Sequence, residues 1–232
     1  MASLGKKTRI AFWAIALAIL VLGVLIAAGS FYAAAPLSAK IVDSATGEPV
    51  EGANIVASWN FEGGLEGGSI TGHAMVMEAV SDQNGEFRFP AWGPHLAFRW
   101  GAIKGAAPEL LIFKSGYRYL SLRNAGYRRF APPFMHSDLD HTVITLAPFI
   151  GPFEDYARDT STINEKLSSL LYNDECNWRA IPKFLLDIDR ENKIFIAKGP
   201  KYRLYSLDYL RDSDGRQRVC GDLKAFVERN GT

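Results

Sequence analysis

Alternation of apolar and polar residues dominates the middle of the chain. Residues 37–43 (LSAKIVD) form a short apolar run that ends in a turn cluster from Asp43 to Pro49. Residues 53–59 (ANIVASW) alternate, and the β-branched Ile55 and Val56 favour a strand. Five glycines in the thirteen residues 60–72 read as too flexible for regular structure. Residues 73–80 (HAMVMEAV) predict the next strand, closed by a turn in which Asn84-Gly85 tolerates positive φ. Phe87 and Phe89 then share one face of a strand over 86–89. Residues 109–114 (ELLIFK) are of the fully buried type, 117–122 (YRYLSL) continue them, and 141–147 (HTVITLA) form the last strand before Pro148. About seven short strands between turn clusters predict a mainly β sandwich over 37–149. No helical period interrupts them, which argues against parallel crossovers.

The pattern changes after residue 150. Phe153, Tyr156, Ala157, Ile163, Leu167 and Leu170 recur at helical spacing. Thr162 and Glu165 have the spacing of a capping box, so a helix starts or restarts there. Ile181, Phe184, Leu185 and Ile188 predict a second helix with Pro182 in its first turn. Residues 222–228 predict a third, capped by Asp222 and ended by Asn230-Gly231. Residues 150–232 therefore form a small helical extension.

The N-terminus has neither pattern. Residues 1–9 carry Lys6, Lys7 and Arg9 and no acid, and residues 10–30 carry no charge at all. A helix of that length would reach about 31 Å, enough for the hydrocarbon core. The expectation is a cytoplasmic basic segment over 1–9 and a transmembrane signal-anchor over 10–32. The body would then lie in the periplasm or outside the cell, on a single-pass inner-membrane protein. The alternative is a signal peptide cleaved near Ala33-Ala34-Ala35, against which stand the length of the apolar run and Pro36.

Charge and cysteine content narrow the function. The net charge is +1, from 26 basic and 25 acidic residues. That balance excludes nucleic-acid binding by bulk electrostatics. Cys176 and Cys220 are the only cysteines. In an oxidising compartment they read first as a disulfide, with two buried thiols as the alternative.

Four pieces of the β region resemble the carboxypeptidase regulatory-like domains, which have a transthyretin-like sandwich. Residues 41–55 (IVDSATGEPVEGANI) look like their opening hairpin and 82–89 (DQNGEFRF) like their second signature. Residues 113–117 (FKSGY) and 143–146 (VITL) resemble the third and last. The resemblance covers about 37–148 and implies a seven-strand Ig/transthyretin-like sandwich. It is to a non-catalytic accessory module, so it implies no zinc and no peptidase activity.

Catalytic and cofactor motifs are absent from the sequence. No Gly-x-Ser-x-Gly, phosphate-cradling glycine loop or His-Glu-x-x-His occurs, and no cofactor or metal is expected. His136, Asp138, Asp140 and His141 form the one local cluster of metal-compatible side chains, and they read more simply as a polar loop before a strand. Aromatic and arginine residues in 90–134 are the suggestive feature, above all Trp92, Phe98, Arg99 and Trp100. Such rings either pack under long loops or are offered to a partner. The expected function is a non-enzymatic cell-envelope binding or scaffolding protein that contacts another envelope protein. The alternative is a carbohydrate or peptidoglycan module that stacks sugars on these aromatics.

Overall fold

The computed structural model of the chain describes residues 6–28, 31–63, 69–96, 102–103, 107–125, 134–171, 176–213 and 220–232. Eleven strands lie between residues 31 and 146 among these: β1 (Phe31–Ala34), β2 (Leu37–Asp43), β3 (Asn54–Gly63), β4 (Ser69–Val80), β5 (Glu86–Phe89), β6 (Trp92–Leu96), β7 (Ala102–Ile103), β8 (Glu109–Phe113), β9 (Leu120–Leu122), β10 (Phe134–Met135) and β11 (Thr142–Leu146). Helix α1 (Lys6–Ala28) precedes them, and α2 (Phe153–Ser161), α3 (Ile163–Leu171), α4 (Pro182–Lys198), α5 (Leu207–Ser213) and α6 (Leu223–Asn230) follow.

The expected seven strands are thus corrected to eleven, for a local reason. Pro36 separates β1 from β2, and Pro90 separates β5 from β6; proline has no N–H to give a ladder. The turn around 138–141 separates β10 from β11. Each break splits one path into two strands, so sheet β10-β1-β6 continues sheet β11-β2-β5. Both contribute to one core with the third sheet, β4-β3-β8-β9, to which β7 adds on β3. The long β3–β4 ladder also runs into the glycine-rich stretch, from Asn54↔Val80 to Gly63↔Ser69, with bulges near Trp59 and Phe61. A second correction concerns direction. Strand β11 runs parallel to β2, and the connection between them passes through the opposite sheet instead of a helical crossover.

The N-terminal expectation is overturned. Among the described residues no helix is long and apolar enough to cross a membrane. The transmembrane signal-anchor over 10–32 is therefore withdrawn. With it go the single-pass inner-membrane placement, the cytoplasmic N-terminus and the periplasmic or extracellular body.

Sheet β4-β3-β8-β9 is the middle layer of three. Strand β3 is buried from Asn54 to Phe61 because both of its faces are covered. Ile55, Ala57, Trp59 and Phe61 meet the other sheets in one core. Val56 on β3 and Leu111 and Phe113 on β8 meet the helices, with Phe184, Leu185 and Ile188 of α4 in the same cluster. Strands buried on both faces lose their alternation, which explains the unbroken apolar run from Leu110 to Phe113 in β8.

The helices follow their end signals with one exception. Pro182 opens α4, Gly199 closes it at φ 72°, and the Asp222 carboxylate accepts from Ala225 N at the start of α6. Thr162 separates α2 from α3 without a capping box. Its hydroxyl donates to Asp159 O and meets the Tyr119 hydroxyl at 2.6 Å. Cys176 and Cys220 are joined by a disulfide, with their Cα atoms 5.6 Å apart. It ties the turn before the 3₁₀ segment Asn177–Ala180 to the residues just ahead of α6.

Candidate binding groove

Strict alternation in β2, β5 and β11 gives their sheet two unlike faces. Leu37, Ala39, Ile41, Phe87, Phe89, Ile144 and Leu146 turn inward and are buried. Ser38, Lys40, Glu86, Arg88 and Val143 turn the other way. Register sets them side by side: Val143 beside Lys40 beside Glu86, and Ser38 beside Arg88. These residues, with Glu78 to Val80 and Asp82 at the β4 end, line an open groove of about 790 Å³. Val143 is 63% exposed on its floor.

The carboxylates at the rim are held by backbone N–H groups. Asp82 Oδ1 accepts from Asn84 N at 2.9 Å and Glu86 N at 2.8 Å, which fixes the turn into β5. Gly85 completes that turn at φ 74°, where any Cβ would strike the Ile41 carbonyl. Glu78 accepts from Lys183 N at 3.2 Å and Phe184 N at 3.1 Å, capping the first turn of α4. Burial pushes the Glu78 carboxyl up from its ordinary value, against the pull of those two donors.

At the other end Asp140 Oδ1 accepts from Ser38 N at 2.8 Å and Ser38 Oγ at 3.3 Å, and His141 N donates to Ser38 O at 2.6 Å. His141 Nδ1 lies 3.4 Å from Ser38 Oγ and Nε2 lies 3.5 Å from Asp140 Oδ2. A serine, a histidine and an aspartate thus meet: the hydroxyl bonds the carboxylate directly, and the imidazole contacts each of them at a slightly longer distance. The group is a corner clamp that sets the entry into β11.

The residues singled out in the sequence fall elsewhere. Trp92 is 6% exposed and packs edge-to-face on Trp59 at a centroid distance of 5.4 Å, inside the sandwich core. Phe98, Arg99 and Trp100 lie outside the described residues. His136 packs on Phe134 at 5.0 Å, apart from the Asp140 clamp. Among the described residues no group of three or more His, Cys, Asp or Glu could hold a metal ion. The groove was missed because its residues are ordinary outward positions of alternating strands; only the parallel β11–β2 register brings Val143 to Lys40.

No protein-family model and no curated protein matches the chain. Among solved structures it is similar to the 3-chlorocatechol 1,2-dioxygenase of Rhodococcus opacus 1CP, at 13% identity over 52% of this chain and 62% of that one, with a TM-score of 0.31. It is similar to a streptococcal ancillary pilin at 13% identity over 50% and 30%, with a TM-score of 0.29. For the shaft pilin of Lactobacillus rhamnosus GG the values are 15%, 53%, 48% and 0.24. The chain spans less than two thirds of each of these proteins. Likenesses this slight carry no argument about activity or assembly.

Proposed function

We propose that the chain is a non-catalytic binding or scaffolding module that takes an extended segment of a partner protein across the groove on β11, β2 and β5. The supporting observation is the groove itself. It is open, about 790 Å³ in volume and floored by an exposed valine, and its strands are fixed from behind by a packed core. A binding face on rigid strands costs little ordering on association. The relation of 37–148 to carboxypeptidase regulatory-like domains belongs to the same proposal. It is supported by the hairpin after β2, where Asp43 Oδ1 accepts from Ala45 N and Thr46 N, and where Gly47 and Gly52 take positive φ. The glycan alternative loses ground because the ring of Trp92 is inside the core.

Peptide display tests this reading. The immobilised 232-residue chain is panned against a random linear peptide library, and enriched peptides are re-measured on the Val143→Arg variant. Val143 is exposed, so the variant is expected to fold while blocking the groove floor. Peptides that bind the wild type and lose at least tenfold affinity on Val143→Arg are expected. Enrichment of none that depend on Val143 would end the proposal.

A further inference from the structure

We infer that the partner segment is held by its backbone, as a strand added antiparallel to the outer edge of β11; this rests on the chain being a binding module and says how its ligand is gripped. Strand β11 ends its sheet, with β2 on one side and no strand on the other among the described residues. Two hydrogen bonds show which way its backbone groups point. Ser44 N donates to Leu146 O at 3.0 Å, on the β2 side, and Arg118 N donates to Ala147 O at 2.9 Å, on the outer side. Backbone groups alternate sides along a strand, so those of Ile144 face β2 with Leu146, and those of Val143 and Thr145 face outward with Ala147. Among the described residues the N–H and C=O of Val143 and of Thr145 have no partner. An extended backbone is what satisfies donors and acceptors at that spacing.

The opposite edge of the same sheet is closed. On β5, Gly85 O accepts from Ile41 N on the β2 side, so the backbone of Glu86 faces outward. Its N–H donates to the Asp82 carboxylate, its C=O accepts from Asp82 N, and Pro90 follows the strand. Strand β11 has no charge, proline or bulge from Thr142 to Leu146, so it lacks the devices that keep an edge from pairing. The chain itself begins such a pairing. Residues 116–118 run antiparallel to 147–149 on this edge, through the Tyr117↔Pro148 bridge, and then leave for β8 as β9. An added strand takes the place they vacate. Two of its residues lie opposite Val143 and Thr145 and share their exposed face, and the residue between them turns inward with the buried Ile144. The segment that fits is therefore uncharged there, with an apolar residue between two small or β-branched ones. A second copy of β11 fits poorly. Pairing its Thr145 with Val143 sets its His141 opposite Ala147, whose outer side Arg118 already holds.

The peptides enriched by panning read this out when they are re-measured on Thr145→Pro and as backbone N-methylated copies. Proline at 145 deletes one outward N–H and spares the ladder to β2, which runs through Ile144 and Leu146. A loss of about tenfold is expected on that variant. Methylating alternate peptide nitrogens is expected to cost about as much, and methylating the intervening ones little. That period of two is read on the unchanged protein, so it decides the matter even where Thr145→Pro does not fold. Peptides that need Val143 but show no period of two would overturn strand addition and leave the binding reading standing. Peptides that show the period of two and bind Val143→Arg undiminished would uphold strand addition and remove the groove floor from the site. Enrichment of no peptide would end both. A dimer of the chain that Thr145→Pro dissociates would overturn the partner segment in favour of a second copy.

Discussion

The two faces of the middle sheet are equally buried and chemically opposite. Toward the other strands, β3 presents Ile55, Ala57, Trp59 and Phe61, with Leu110 and Ile112 beside them on β8. Toward the helices it presents Asn54, Val56, Ser58 and Asn60, with Glu109 on β8. The first face is held by area and ring packing. The second mixes an apolar cluster with specific bonds: Asn54 Nδ2 donates to Asp187, Asn177 Nδ2 meets His73 Nδ1 at 2.9 Å, and Glu109 accepts from three side chains. The contrast teaches why each layer can be placed. Apolar area is non-directional and would allow the helices to slide, whereas a polar contact made at one register fixes them.

If the contrast is real, the largest loss comes from the apolar face. Trp59 is 1% exposed, sits against Trp92, and leaves its indole N–H without a partner. Trp59→Ala is expected to cost about 3–5 kcal/mol in urea unfolding. Trp59→Phe keeps most of the ring and removes the orphaned donor, so a cost within about 2 kcal/mol is expected. Equal losses for the two variants would mean that ring packing is not what holds this face.

The same contrast marks what the sequence could show. Where one face of a strand is buried, period two survives in the residues, and β2, β5 and β11 were legible from Leu37, Phe87 and Ile144. Strand β1 (FYAA) and β6 (WGPHL) were not, because their pairing depends on chain continuity past Pro36 and Pro90. The buried polar row was illegible for another reason. Glu109 reads as an ordinary strand-end acid until Lys166, 57 residues on, is brought to 2.6 Å. The groove shares that difficulty, since Lys40 and Arg88 look like any solvent-facing pair. Aromatic content left two readings of Trp92, packed under a loop or offered to a partner, and its ring lies in the core.

A cut at the disulfide tests whether the helical layer stands alone. Cys176 and Cys220 are 44 residues apart, which corresponds to about 4 kcal/mol in the chain-entropy model of a cross-link. The measured loss for Cys176→Ser/Cys220→Ser is expected to fall between about 2 and 4 kcal/mol. Hydrogen exchange should show where it falls. Amides of α6 and of Asn177–Ala180 are expected to lose protection first, while those of β2 and β11 change least, since no residue of either strand joins the helix-facing cluster. Uniform loss across both layers would show that the middle sheet transmits the damage and that its two faces are one cooperative unit.

The smallest effect expected is also the most specific to the polar face. Glu109 is 8% exposed; burial alone would raise its carboxyl, but Lys166 at 2.6 Å, Arg123 at 2.7 Å and Ser121 at 2.8 Å outweigh that and hold it below the ordinary 4.5. A carboxyl lowered in the folded state stabilises the fold above its unfolded value, and that contribution is lost as pH falls through the folded value. Lys166 and Arg123 remain well exposed, so water screens both pairs and the contribution is about 1 kcal/mol. Glu109→Gln keeps the shape and removes the charge. Its deficit against the wild type is expected to be about 1 kcal/mol at pH 7 and to close as pH falls through the lowered folded value, below the ordinary 4.5. Guanidinium would screen the pairs, so urea unfolding at several pH values is the measurement. A deficit that stays constant with pH would assign the loss to packing, and the helix-facing side of the sheet would then be held as the apolar side is.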